Sequence, residues 1–236
     1  MTISDEPGET ASDAGYLRPG RFVDSDHPAV ARFAARAGGA GDPCEVARRL
    51  YYAVRDEILY DPYVPLAAAE TYRASAVLAC GRGYCVGKAA LLAAAARTRG
   101  IPARLAFADV RNHLATPRLL ELTGSDLFIY HGIAELSLDG RWVKATPTFN
   151  LTLCEKFGIR ALDFDGRSDA VFHPFDRAGR RHMEYVRERG AYADVPVELI
   201  LPAMRSAYPR LFAAGAGGDF AAEAAAGQGE ERADSP

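Results

Sequence analysis

The chain has 236 residues, 49% of them hydrophobic, and its 28 basic and 31 acidic residues give a net charge of −3. This composition supports one substantial core, and the lack of a basic excess argues against a nucleic-acid partner. No apolar run approaches the roughly 20 residues that cross a bilayer, and residues 1–20 lack the apolar stretch of a signal peptide. We therefore expect a cytoplasmic protein without a membrane partner.

The sequence predicts a single domain over residues 21–213, with a core over about 45–150 and a C-terminal extension over 151–213. Residues 1–20 and 214–236 are rich in small, charged or glycine residues, and we predict that both ends are disordered. There is no internal repeat, and the oligomeric state is left open.

Three helices are predicted before residue 100. The first runs over about Pro43–Leu59, since Asp42 can cap it and apolar residues recur every four positions. A short helix follows at about Ala74–Ala79, capped near Thr71 or Ser75. The third begins at Cys85 and ends near Arg99, where Gly100 and Pro102 stop it.

Strands dominate the next part of the sequence. The predicted strands are Ala103–Val110, Phe128–Leu138 and Arg141–Thr146, and Asp139-Gly140 between the last two indicates a tight hairpin. Helix followed by strands predicts an α+β fold, with an antiparallel sheet packed on the helix that begins at Cys85. Residues 151–195 are predicted to be an irregular excursion, and Val197–Phe212 a last helix.

Cys85 is the candidate nucleophile. It follows Gly83-Tyr84 at a predicted helix start, where the helix dipole and unpaired N–H groups favour the reactive thiolate. The alternative is a buried cysteine that acts as a small core residue. His131, at the head of a predicted strand, is the candidate base, with a structural histidine as its alternative.

The four cysteines are Cys44, Cys80, Cys85 and Cys154. Without a secretory signal we expect reduced thiols rather than two disulfides. The Cys80–Cys85 spacing lacks a second pair at zinc spacing, so no metal site is expected, and no motif predicts a cofactor.

The sequence resembles the transglutaminase-like superfamily over about residues 45–150. The motifs, in order, are Gly83-Tyr84-Cys85, Gly100-Ile101-Pro102, His131, Gly140-Arg141-Trp142-Val143 and Pro147-Thr148. The resemblance implies a papain-like α+β core and a Cys-His-Asp triad, in a family that contains cross-linking transglutaminases, peptide N-glycanases, proteases and amidases. Related condensing enzymes make amides from thioesters.

Thr146 stands where the family has the triad aspartate. A hairpin centred on Asp139-Gly140 places Thr146 opposite Ile133, so its position is kept and the carboxylate is lost. A hydroxyl can orient an imidazole but cannot neutralise its charge. We weigh three possibilities: Thr146 orients His131, Asp109 replaces the carboxylate from the neighbouring strand, or Thr146 is only a strand residue in an inactive site.

Four further residues are candidates for substrate binding: Tyr84, Lys88, Asn112 and His113. Lys88 lies one turn after Cys85 and could bind a carboxylate or phosphate, although a solvated surface lysine is the favoured reading. His173 and His182 lack metal-binding spacing but could line the acyl-acceptor side of the cleft. Asp163–Asp169 fails the calcium-loop pattern and is expected to be a turn with capping aspartates.

These features predict a cysteine enzyme that transfers acyl groups through a thioester, with a small-molecule, peptide or acyl-thioester substrate. Hydrolysis or exchange of an amide or peptide bond is favoured. The alternatives are an amide-forming acyltransferase that uses a carrier-bound thioester, and a non-catalytic binding or scaffold protein on a degenerate fold.

Overall fold

A computed structural model describes residues 13–173, 175–213 and 218–233 of the chain. The described helices are α1 (Pro28–Gly38), α2 (Pro43–Glu57), α3 (Ala74–Cys80), α4 (Cys85–Thr98), α5 (Pro117–Thr123), α6 (Leu151–Phe157), α7 (Val197–Ala207), α8 (Pro209–Ala213) and α9 (Phe220–Ala233). The strands are β1 (Leu59–Tyr60), β2 (Arg82–Gly83), β3 (Ala103–Asn112), β4 (Leu127–Leu138), β5 (Arg141–Ala145) and β6 (Met183–Tyr192).

The main sheet has four antiparallel strands in the order β5-β4-β3-β6, and β1 and β2 form a separate parallel pair. Helix α4 packs chiefly against β4 and is surrounded by α1, α2 and α3. This arrangement confirms the predicted α+β class, with a central helix on an antiparallel sheet.

The β4–β5 hairpin has the predicted register. Asp139 and Gly140 have φ angles of 49° and 77°, the left-handed conformation of both central residues in the tightest hairpin turns. Ala134 pairs with Ala145 and Leu138 with Arg141, so paired residue numbers add to 279. Extending this register beyond β5 places Thr146 opposite Ile133 and Thr148 opposite His131.

Helix α4 is buried on all sides from Val86 to Arg97. Its alanine-rich surface lets neighbouring elements approach closely, and Gly132 of β4 makes the closest approach to its first turn. A Cβ atom on Gly132 would lie 2.8 Å from Val86 Cα, a distance that only glycine avoids. The lack of a Cβ atom at Gly132 therefore allows β4 to pack directly against the start of α4.

The two long predicted helices begin as expected. The Asp42 carboxylate accepts from the Glu45 N–H at 3.1 Å at the start of α2, and α4 begins at Cys85. Helix α3 begins after Arg73, which makes no side-chain cap, so neither predicted cap is used.

The prediction of an irregular stretch over 151–195 is wrong for α6 and β6. Strand β6 is an edge strand whose side chains are mostly exposed, so its sequence lacks the apolar alternation that identifies a half-buried strand. The last predicted helix is divided into α7 and α8 at Tyr208, because Pro209 has no N–H and disfavours a helical residue before it.

The predicted disorder of the ends is wrong where the structure describes them. Residues Asp13–Leu17 form a 3-10 helix, and the Tyr16 ring meets the Trp142 ring edge-on at 5.1 Å. Helix α9 packs against α6 through Phe220. The rest of that prediction, for residues 1–12, 214–217 and 234–236, lies outside the described residues. None of the described helices is both long and apolar enough to span a membrane.

Candidate active site

Cys85 is the first residue of α4. Strand β2, which pairs with β1, ends at Gly83, two residues before Cys85. Tyr84 is the N-cap residue of α4, and its side chain accepts no hydrogen bond from the first N–H groups of the helix. The backbone N–H groups of Gly132, Val86 and Cys85 itself are directed toward the sulfur. This geometry agrees with the predicted placement of the thiol.

The ionisation state of Cys85 differs from the expectation. Burial raises the pKa of Cys85 to about 11, and the three N–H groups only reduce that rise. The resting thiol is therefore protonated at neutral pH. The sequence-based expectation of a thiolate was wrong, because it counted the helix dipole but not the loss of solvent around the sulfur.

His131 lies on β4 with its ring packed against Phe172 at a centroid distance of 5.0 Å. The residue is 5% exposed, and burial lowers the pKa of His131 to about 3. Its Nε2 atom is buried without a hydrogen-bond partner among the described residues. At neutral pH the imidazole is therefore uncharged, and burial makes it a weak proton acceptor in the resting cavity.

Cys85 and His131 line the same cavity, which has a volume of about 70 Å³. Among the described residues, no hydrogen bond joins Cys85 to His131. The two side chains therefore line one cavity but do not form an ion pair in the resting state. Most of the other lining side chains are apolar or aromatic, and the cavity is lined by Tyr60, Pro62, Leu66, Tyr84, Cys85, Val110, Asn112, Leu119, Thr123, Phe128, Ile129, His131, Thr148, Phe149, Phe172, Met183, Met204, Tyr208, Leu211 and Phe220.

The structure places Thr148, which the sequence reasoning missed, in this cavity beside His131. The hairpin register contained a partial signal, because continuing its pairs past the end of β5 at Ala145 would set position 148 opposite position 131. Thr146 is instead part of a second, 10 Å³ cavity behind Phe172. Its N–H donates to the Ala170 carbonyl at 3.0 Å, and its hydroxyl is buried without a partner. The Thr146 hydroxyl is close enough to Tyr185 to affect the phenol's pKa, but the two do not reach hydrogen-bonding geometry.

Asp109 does not contact the His131 ring. Both of its carboxylate oxygens bind the Arg189 guanidinium, with Nη2 to Oδ2 at 2.7 Å and Nε to Oδ1 at 2.9 Å. Its Oδ1 atom also accepts from the Tyr130 N–H at 3.2 Å. The Asp109 carboxylate therefore binds the backbone of Tyr130, the residue before His131, and not the His131 ring that it was expected to orient.

Lys88 is neither exposed nor part of the cavity, so both readings of it were wrong. The side chain is fully buried, and Nζ donates to the carbonyls of Arg55 at 2.9 Å and Ile58 at 2.5 Å. These carbonyls lie at the end of α2, where backbone acceptors lack helical partners. Burial lowers the pKa of Lys88 to about 7. Lys88 joins α4 to α2 and does not line the Cys85 cavity.

The other predicted binding residues divide into two groups. Tyr84 and Asn112 line the cavity with Cys85. His113 lies outside it, where its Nε2 atom is 3.5 Å from a Glu184 oxygen, so the structure does not bring it to the site. The sequence placed His113 there only because it follows Asn112.

His173 and His182 line the small cavity beside Thr146, apart from Cys85. Burial lowers the pKa of His182 to about 4. Asp165 accepts from the N–H groups of Arg167 and Ser168 at 2.7 Å, which confirms a turn with a capping aspartate. All four cysteines are free thiols, and the described residues contain no group of three or more side chains placed to bind a metal.

Buried polar atoms without partners concentrate at this site. Five such side-chain atoms occur among the described residues, and three of them line the Cys85 cavity: the Tyr84 hydroxyl, His131 Nε2 and Thr148 Oγ1. The neighbouring Tyr72 hydroxyl donates to the Leu66 carbonyl. The Tyr72 and Tyr84 hydroxyls are close enough to affect each other's pKa, but they do not reach hydrogen-bonding geometry. An unsatisfied buried polar group is costly and therefore uncommon, and these three atoms line one cavity, where water or a ligand can supply the missing hydrogen bonds.

A model of the transglutaminase-like superfamily matches residues 31–147, which contain both Cys85 and His131. This part of the chain belongs to the transglutaminase-like superfamily. Membership supports cysteine-based chemistry at the site, at the level of the superfamily. The match ends at Pro147, so many of the cavity walls come from residues that follow the family core.

Two solved structures are similar to the chain at low identity. The first, from Cytophaga hutchinsonii and provisionally described as a cysteine protease, is 16% identical with a TM-score of 0.45 over 80% of this chain and 55% of its own. The second, a provisionally described protease from Parabacteroides distasonis, is 17% identical with a TM-score of 0.39 over 59% of this chain and 27% of its own. The chain thus spans about half or less of these neighbours' lengths. No curated protein matches the sequence.

Proposed function

We propose that the protein transfers acyl groups through a thioester on Cys85, and that its main reaction is hydrolysis or exchange of an amide or peptide bond. The observation that supports this most strongly is the shared cavity of Cys85 and His131, with unpartnered polar atoms beside them. A buried core cysteine and a structural histidine would not need such a cavity.

The resting pair is neutral, so the proton moves during the reaction rather than before it. As Cys85 Sγ attacks the carbonyl carbon, its proton passes to the uncharged His131 ring. The low pKa of the buried ring opposes this transfer, so the proposed step requires that the charge developing on the substrate stabilises the imidazolium. The new oxyanion faces the backbone N–H of Cys85 at the start of α4, and the unpartnered Tyr84 hydroxyl is the second donor.

The His131 imidazolium then returns the proton to the leaving group, and the tetrahedral intermediate collapses to a thioester on Cys85. Water attacks this thioester and regenerates the thiol. A cavity of about 70 Å³ admits water more easily than a bulky amine, which favours hydrolysis. Thr148 lines the cavity with His131, but its hydroxyl and His131 Nε2 both lack a hydrogen-bond partner among the described residues, so Thr148 does not hold the ring in the resting state.

The second candidate is amide formation from a carrier-bound thioester. A thiol whose pKa is raised to about 11 is a weak nucleophile at neutral pH, and it attacks an activated thioester more easily than an amide. A non-catalytic binding protein is the third candidate, which the neutral state of both residues also favours.

Incubation with matched peptide and acyl-thioester panels, followed by intact mass measurement, separates these candidates. Hydrolysis predicts an acyl mass on Cys85 and released product with the peptide panel, and both are absent in Cys85→Ser. Adducts from thioesters alone would favour the condensing enzyme. A folded protein that acquires no adduct from either panel would support the binding protein. Cys80→Ser is the control, because Cys80 is an exposed free thiol.

A further inference from the structure

The cavity beside Cys85 has a chemical character that limits the substrate. We infer that it holds the acyl group of the substrate, and that this group is a short, uncharged aliphatic chain. The inference rests on the proposed function, because it assigns the cavity to the part of the substrate that becomes bonded to the sulfur.

Charge is the first argument. Among the residues that the structure describes, no aspartate, glutamate, lysine or arginine lines the cavity. Lys88, the candidate that could have bound a carboxylate, points away to the end of α2. An ionised group inside an apolar cavity without a partner is strongly disfavoured. A succinyl-like or amino-acid-like acyl group would carry such a charge, so the cavity selects against it.

Size is the second argument. An apolar cavity of about 150 Å³ holds benzene, which has six carbons. On that scale the 70 Å³ beside Cys85 holds about three carbons. Acetyl to butyryl groups therefore fit, and an octanoyl chain does not fit without displacing a wall.

The position of the walls is the third argument. Met204 of α7, Leu211 of α8 and Phe220 of α9 form part of the cavity wall, and all three follow the family core that ends at residue 147. Thus the family core contains Cys85 and His131, while residues after 147 form the part of the wall that we expect to limit the length of the acyl chain.

Nitrophenyl esters test this inference, because their leaving group is the same for every chain length. Cys85 Sγ forms a bond to the acyl carbon, the ester C–O bond breaks, nitrophenolate leaves, and the thiol proton passes to His131. For each ester, we divide kcat/KM by the rate constant for its hydrolysis by hydroxide, which corrects for intrinsic reactivity. We expect this ratio to be at least about tenfold higher for nitrophenyl butyrate than for nitrophenyl octanoate. The monosuccinate, similar in length but charged, should also be at least about tenfold slower than butyrate.

Shortening a wall should relax this selection. Met204→Ala is expected to narrow the butyrate-to-octanoate ratio at least about fivefold. Leu199→Ala is the matched control, since Leu199 lies on α7 but is 50% exposed. Leu211→Ala makes the same prediction from a different helix and keeps the test available if Met204→Ala does not fold.

The outcomes separate the two proposals. Cys85 acylation at equal rates by butyrate, octanoate and monosuccinate would overturn the acyl pocket and leave the proposed function standing. An unchanged ratio in a folded Met204→Ala protein would overturn it as well. If no ester acylates Cys85 in the folded wild type, the proposed function itself fails, and the pocket assignment fails with it.

A separate observation concerns Tyr130, the residue before His131. Tyr130 has a φ of 55°, and only it and the hairpin residue Asp139 have left-handed backbones among the described residues other than glycine. Such a conformation is unfavourable for a bulky side chain and persists only where its surroundings impose it. It lies where β3 and β4 lose register at Asp109.

Asp109 and Arg189 enclose this strained residue from two strands. The carboxylate accepts from the Tyr130 N–H at 3.2 Å, where the displaced register leaves that group without its ladder partner. The Arg189 guanidinium binds the same carboxylate and lies over the Tyr130 ring, with Cζ 4.7 Å from the centroid. We propose that Asp109 is a positioning residue that fixes the direction of His131 through the backbone of Tyr130.

A glycine at position 130 provides a specific test, since glycine adopts positive φ without strain. If Asp109 acts through this backbone, Asp109→Ala should lower kcat for the butyrate ester at least about tenfold with little change in KM. Tyr130→Gly in the same chain should restore most of the loss. Asp109→Asn keeps an acceptor for the N–H and should retain most activity.

A direct readout does not depend on turnover. The NMR signals of the His131 ring should move in Asp109→Ala and return toward their original position in the double variant. A folded Asp109→Ala protein that Tyr130→Gly rescues in neither activity nor ring signals would overturn the positioning role. Unmoved ring signals in Asp109→Ala would overturn it even if no ester is turned over.

Discussion

At the level of single residues, motif order was sufficient to find Cys85 and His131, but not their charge state. The sequence shows which groups lie at a helix start or on a strand. It does not show that the same packing removes water from both, which raises the pKa of Cys85 to about 11 and lowers that of His131 to about 3. Burial therefore outweighs the helix dipole at this site.

Lys88 illustrates the same limit. Its spacing from Cys85 was correct, and both residues lie in the first turn of α4, but the side chain leaves that turn toward the end of α2. The carbonyls of Arg55 and Ile58 that receive it come from a helix 30 or more residues earlier. Only a tertiary contact decides this direction, so no local pattern could have predicted it.

At the level of elements, the sequence predicted most of the parts that position the site. Asp42, Asp139-Gly140 and the glycine before Cys85 are local signals, and α2, the β4–β5 hairpin and α4 were all found from them. Strand β6 and helix α9 were missed. The first is an exposed edge strand, and the second has the small-residue composition of a disordered tail.

One carboxylate adds polar contacts to the packing that attaches α9 to the rest of the molecule. Glu223 accepts from the Tyr63 hydroxyl at 2.6 Å and from the Thr116 hydroxyl at 3.0 Å, and it lies 3.5 Å from Arg118 Nε. We expect Glu223→Ala to lower the free energy of unfolding by about 1–3 kcal/mol, because two hydroxyl donors lose their acceptor. Amide exchange over residues 220–233 should accelerate more than exchange in α2.

Glu121→Ala is the control for this variant, because Glu121 is an exposed glutamate on α5. It should leave exchange in α9 unchanged. If Glu223→Ala preserves the protection of α9, the carboxylate does not hold the helix, and the packing of Phe220 against Tyr60 and Phe157 must do so alone.

At the level of the whole molecule, the site is assembled from two parts of the chain. The family core brings the start of α4 against β4, and Gly132 allows the close approach that sets Cys85 beside the His131 strand. The extension after residue 147 adds Phe149, Phe172 and the helical walls that enclose the cavity. The resemblance over 45–150 thus predicted the pair of residues that share the cavity, but not the walls that lie beyond the family motifs.

The measurement that most directly tests the central claim is the rate of Cys85 alkylation by iodoacetamide from pH 6 to 11, in a Cys80→Ser background. With a thiol pKa near 11, the uncatalysed rate should rise about tenfold per pH unit toward that value. If His131 accepts the proton, wild type should exceed His131→Ala at least about tenfold at pH 7. The two profiles should converge near pH 11, where the thiol ionises without help. Profiles that coincide over the whole range would contradict a shared proton between sulfur and imidazole.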